Sequence, residues 1–134
     1  MQPLRAILKW IFGASFVIAG ANHFIHTDFY VSIMPPYLYL PWHVALVYVS
    51  GVAEILLGVM LFFRRIERLA AWGMIALMIA VSPVHIQMAL HPALYPDFSE
   101  AALWMRLVLQ GVLILLVWWL ARAENHHLKV KVTY

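Results

Sequence analysis

Seven residues able to trade protons or hydrogen bonds, Asn22, His23, Ser50, Glu54, His85, Arg106 and Gln110, lie inside otherwise apolar stretches of this 134-residue chain. An ionised group in hydrocarbon costs about 2.5–3.5 kcal/mol by the gentlest scales, so each needs a partner, a wet cavity or a ligand. Their chemistry is that of a polar pocket: the imidazoles and Glu54 can take and give protons, and Arg106 can hold an oxygen. His23 and His26, spaced i, i+3, could seat a metal, and His23 with His85 could ligate a haem. Both patterns arise easily by chance, so metal and haem are read against. The sequence has no cysteine. Disulfides, thiol catalysis and Cys-ligated iron–sulfur or zinc centres are therefore excluded.

The elements that must position these groups are apolar helices. Hydrophobic residues make up 65% and charged residues 11% of the chain, with a mean hydropathy of +0.85. A soluble domain has about 45–50% and about 25%, and a chain this short leaves much of its surface wet. Disorder, nucleic-acid binding and a soluble enzyme are excluded together. Four segments reach the roughly 20 residues that a bilayer requires: 4–26, 42–63, 66–90 and 101–122. Period-2 alternation is absent, which argues against a β-barrel. Met34–Pro41 contains three prolines and reads as an ordered loop packed at the mouth of the bundle. The run 64–68 reads as a tight turn, and Ser99-Glu100 as a helix cap. Arg5 and Lys9 ahead of an apolar run, with Ala19-Gly20-Ala21 behind it, suggest a signal peptide; the run is long for one and reads as a retained span. The expected fold is all-α: one membrane domain, residues 1–134, forming an up-down-up-down four-helix bundle with a polar tail at 123–134. His126-His127 in that tail reads as solvated.

Helical spacing puts the polar residues on inward faces. Ser15, Ala19, Asn22, His23 and His26 share a face on the first helix. His43, Val47, Ser50, Gly51, Glu54 and Gly58 share one on the second, and Met78, Ser82, His85 and Ala89 one on the third. Leu103, Arg106, Gln110, Leu113 and Val117 share one on the fourth. At 1.5 Å per residue, His23, His85 and Arg106 lie roughly 5–8 Å from the outer ends, Ser50 and Gln110 roughly 12–14 Å, and Glu54 roughly 18 Å. Two readings of Glu54 stay open: an ion pair with Arg106, or a protonated carboxyl bonded to Gln110 or Ser50. The shared inward stripes and outer-half depth predict that Glu54, Arg106 and Gln110 form one connected cluster, with His23 and His85 at its rim.

Eight basic residues (Arg5, Lys9, Arg64, Arg65, Arg68, Arg122, Lys129 and Lys131) fall on one side of a four-span arrangement, and Arg106 alone lies near the other. The positive-inside rule puts the termini and the arginine turn in the cytoplasm.

The run Gly20-Ala21-Asn22-His23-Phe24, with Phe29-Tyr30 and Ile33-Met34-Pro35-Pro36-Tyr37-Leu38, resembles the DoxX-like family of small four-helix membrane proteins. So do Ser50-Gly51-Val52-Ala53-Glu54-Ile55-Leu56-Leu57-Gly58, Ala71-Trp72-Gly73, Ala80–Ala89 and Arg106-Leu107-Val108-Leu109-Gln110. The resemblance covers residues 13 to 122. It departs at His85, where relatives often carry asparagine, and at Val108, where they carry proline. The resemblance implies an accessory subunit of a membrane oxidoreductase in a bacterial inner membrane. Such a subunit would bind a quinone-like or lipid-like amphiphile, with a membrane or periplasmic protein as partner. The alternative is a non-enzymatic assembly scaffold whose polar groups only hold the bundle together. Homo-oligomerisation stays open.

Overall fold

The computed structural model describes residues 2–38 and 40–123, and every long element in it is helical. Four long helices, α1 (Gln2–Ile25), α3 (His43–Met60), α4 (Glu67–Leu90) and α5 (Glu100–Ala123), are each long and apolar enough to cross a membrane. A short helix, α2 (Thr27–Ser32), follows α1. The sequence reading did not anticipate it. The Thr27 hydroxyl donates back to the carbonyls of His23 (2.9 Å) and Phe24 (3.2 Å), and the chain turns at His26 before resuming a helix. Such hydroxyl bonding to the preceding turn rivals a backbone bond and bends the chain.

Helix ends follow from local chemistry. Ser99 caps α5, its hydroxyl taking the Ala102 N–H at 3.2 Å. Pro92 cannot extend α4 and opens a 3₁₀ turn. The α3–α4 turn is closed by bonds from Ile66 N and Glu67 N to Phe63 O, so α3 stops at Met60 rather than at the expected residue 63. The loop after α2 is tied down. Pro35 is fully buried, Leu38 N bonds Pro35 O, and the buried His43 donates from Nε2 to Leu38 O at 3.0 Å.

Each long helix packs chiefly on its antiparallel neighbour: α1 on α3, α4 on α5, with α3 also against α4. The α1–α3 contact is backbone on backbone. A Cβ placed on Gly20 would lie 2.6 Å from Gly51 O, and one on Gly58 would lie 2.7 Å from Gly13 O. Only glycine permits that approach, and the two pairs lock the register of α1 against α3.

The apolar core divides in two. One cluster, including Phe12, Leu61, Met74, Met78, Val117 and Leu120, fills the end that carries the arginine turn. The other, Ile33, Met88, Tyr95 and Leu103, fills the end that carries the loops. At the turn end Lys9 pairs with Glu67, Arg5 donates to Leu120 O, and Arg122 lies over the Trp118 ring. Arg64, Arg65 and Arg68 are exposed there. The expected tail, with Lys129, Lys131 and His126-His127, lies outside the described residues, as does Tyr39.

Candidate functional site

Between the two apolar clusters each long helix carries its polar residues: His23 on α1, Glu54 on α3, Ser82 and His85 on α4, and Arg106 and Gln110 on α5. The inward stripes read from spacing are the ones the fold turns inward. His43, Val47, Gly51 and Gly58 are buried on α3, and Leu103, Gln110 and Val117 on α5. Ser15 and His26, at the edges of the α1 stripe, are exposed.

His23 and Glu54 meet because of helix direction. A side chain leans toward the N-terminus of its own helix. On antiparallel α1 and α3 these two lean toward one another, bringing Nδ1 to 3.4 Å from Oε2. That nitrogen already donates to Ala19 O at 2.9 Å, and Oε2 of Glu54 is buried with no hydrogen-bond partner. On the other side of His23 the Tyr30 ring stacks at 3.9 Å between centroids. The Tyr30 hydroxyl accepts from Asn22 Nδ2 (3.0 Å), and His26 Nδ1 donates to Asn22 Oδ1 (2.7 Å). Tyr30 was not among the residues singled out from sequence. Its position in the Phe29-Tyr30 motif marked it, but only α2 swings its ring back over His23.

Gln110 is spent on structure. Its amide donates to Met78 O at 2.6 Å and Ser82 Oγ at 3.0 Å, and the Ser82 hydroxyl donates to Met78 O at 2.8 Å. This knot spans the turn from Met78 to Ser82 that leads directly into Pro83, the proline inside α4. Ser50 is likewise satisfied within its own helix, by Leu46 O at 2.8 Å.

Arg106 does not reach Glu54. The Gln110 bonds to Met78 O and Ser82 Oγ set the α4–α5 register and put Arg106, one turn before Gln110, beside the Ser82–His85 turn of α4. On α3 the Leu57 side chain packs against Gly73 of α4, which leaves no room there for a Cβ. Among the described residues Glu54 is within ion-pair distance of His23 and not of Arg106. Arg106 also leans the opposite way, toward the start of α5, where its guanidinium lies 5.5 Å from the centre of the Phe98 ring. Its charge acts on the imidazole of His85, whose Nδ1 is buried without a partner. The single cluster expected from depth therefore resolves into three: His23–Glu54–Tyr30, Arg106–His85–Phe98 and Gln110–Ser82–Met78. Among the described residues no group of three or more His, Cys, Asp or Glu side chains is arranged to hold a metal ion.

Residues 12–121 match a family model described as a domain of unknown function, DUF8561. Comparison with curated proteins and with solved structures found no match to either.

Proposed function

Starting from a chain that belongs to the DUF8561 family, we propose that the protein is an accessory subunit of a membrane redox system in a bacterial inner membrane. Its polar stretch near the loop end holds a quinone-like or lipid-like amphiphile. One observation carries this reading. Gln110, Ser50 and Asn22 are satisfied within the fold, whereas Glu54 Oε2 and His85 Nδ1 are buried without partners and Arg106 has only a ring beneath it. Buried polar atoms are normally paired, so the two orphans on the inward faces of α3 and α4, Glu54 Oε2 and His85 Nδ1, are places for a ligand's oxygens; the third, Arg5 Nε, lies at the turn end, where Arg5 is tied to Leu120 O. Glu54 and His23 are positioned to pass a proton to or from a ligand oxygen, and Arg106 to donate hydrogen bonds. The chain has no cysteine, and electrons would come from a partner protein or from the ligand itself. The DoxX-like resemblance supports the redox setting.

The test is native mass spectrometry of the protein purified in mild detergent. A retained amphiphile that is lost in Glu54→Gln, with the fold intact, supports the reading. A protein that retains no small molecule but captures a membrane partner supports the scaffold alternative. The glycine pairs and the Gln110–Met78 bond, which serve packing alone, favour that second reading.

A further inference from the structure

We propose that Arg106 and His85 form an oxyanion subsite that takes the acidic head group of an amphiphile, a carboxylate or a phosphodiester. The proposal rests on the reading of the polar stretch as a ligand site, and it names the class of ligand.

A guanidinium stays charged under all ordinary conditions, and in hydrocarbon that charge demands an anion. Arg106 is only half-buried, within α5, yet no carboxylate of the described residues pairs with it. The acidic groups near it in sequence, Asp97 and Glu100, are exposed. Glu54 faces His23, at 3.4 Å, and makes no ion pair with Arg106. What Arg106 does have is the Phe98 ring, at 5.5 Å. Contact with a ring face uses no N–H, so the five donors of the fork remain free to bind two oxygens side by side. His85 adds a ring nitrogen, buried and unpartnered, on the neighbouring helix α4. The described residues thus supply a cation, an orienting ring and a second polar contact, and no carboxylate among them pairs with the cation.

The surroundings suit an acyl chain rather than a bare ion. Trp104, Met105 and Leu109 flank Arg106 along α5 and are exposed apolar side chains. A chain lying along them would leave its head at the guanidinium.

The experiment measures binding to the purified full-length protein by native mass spectrometry. The probes are oleate, dioleoyl phosphatidylglycerol, the neutral dioleoylglycerol and inorganic phosphate. Wild type is expected to prefer an acidic probe over dioleoylglycerol by at least about tenfold, the worth of one charge-assisted hydrogen bond. Arg106→Gln is expected to abolish that preference and Arg106→Lys to keep part of it, with His85→Ala weakening it less. Preference for oleate identifies a carboxylate and preference for phosphatidylglycerol a phosphodiester; phosphate binding as well as either shows that the chain contributes nothing and overturns the amphiphile. Equal binding of neutral and acidic probes in wild type overturns the subsite, and this arm needs no variant to fold. If a neutral amphiphile is held and released by Glu54→Gln, only the subsite falls. If no amphiphile is held at all, the site reading falls with it.

Discussion

Nδ1 of His23 and Oε2 of Glu54 approach to 3.4 Å on helices that run in opposite directions. The contact is possible because each side chain leans toward its own helix N-terminus, which on α1 and α3 means toward the other. The imidazole N–H is already given to Ala19 O, so Glu54 gains proximity without a full hydrogen bond. Oε2 of Glu54 is thus left buried beside the imidazole without a hydrogen-bond partner.

Glu54→Gln should therefore be mild for stability. Glu54 makes no ion pair with Arg106, so the change leaves no buried charge stranded, and thermal unfolding in detergent should shift by no more than about 1 kcal/mol. A loss of about 3–5 kcal/mol, typical of breaking a buried pair, would return Glu54 to a purely structural role.

Gly20 and Gly111 should respond in opposite ways to alanine. A Cβ on Gly20 would meet Gly51 O at 2.6 Å, whereas one on Gly111 would meet nothing within 4 Å. Gly20→Ala should destabilise by about 1–3 kcal/mol through forced separation of α1 and α3. Gly111→Ala should be neutral or stabilise by up to about 1 kcal/mol, since alanine is the better helix former. Equal melting temperatures for the two variants would contradict the close α1–α3 contact.

Gln110→Leu removes the donor to Met78 O and Ser82 Oγ. The expected cost is about 1–3 kcal/mol, because a buried polar knot loses its member from α5. Retention of bound amphiphile in this variant, normalised to folded protein, should match wild type; a selective loss of ligand would move Gln110 into the site.

Tyr95 gives a pH signature outside the long helices. Burial, and then the neighbouring Tyr37, push its phenol above the ordinary value of 10.0. A raised acid pKa means that the folded state favours the neutral phenol. That stabilisation is complete below the unfolded value and is lost as pH rises through the folded one. Melting temperature should fall above about pH 10, and Tyr95→Phe should flatten the fall. An unchanged alkaline slope in that variant would show that Tyr95 is not responsible.

Single cysteines test orientation cleanly in a chain that has none. An impermeant thiol reagent applied outside intact cells should label Asp97→Cys and miss Arg65→Cys. The reverse pattern would invert the expected arrangement.

The helices and their inward faces were legible in the sequence because both are local properties. Apolar length and 3.6-residue spacing placed Gln110, Leu103 and Val117 on one face of α5 before any partner was known, and they are buried there. The polar stretch was legible for the same reason, as was the Ser99 cap. What depth alone could not decide was which polar group meets which. That choice depends on the register between helices, set by contacts far apart in sequence such as Gly20 with Gly51 and Gln110 with Ser82. It depends equally on the direction in which each side chain leans. Together these send Glu54 to His23 and Arg106 to Phe98, where depth had suggested one pair. The Tyr30 ring over His23 is likewise a tertiary outcome, because it requires α2 to fold back over the end of α1.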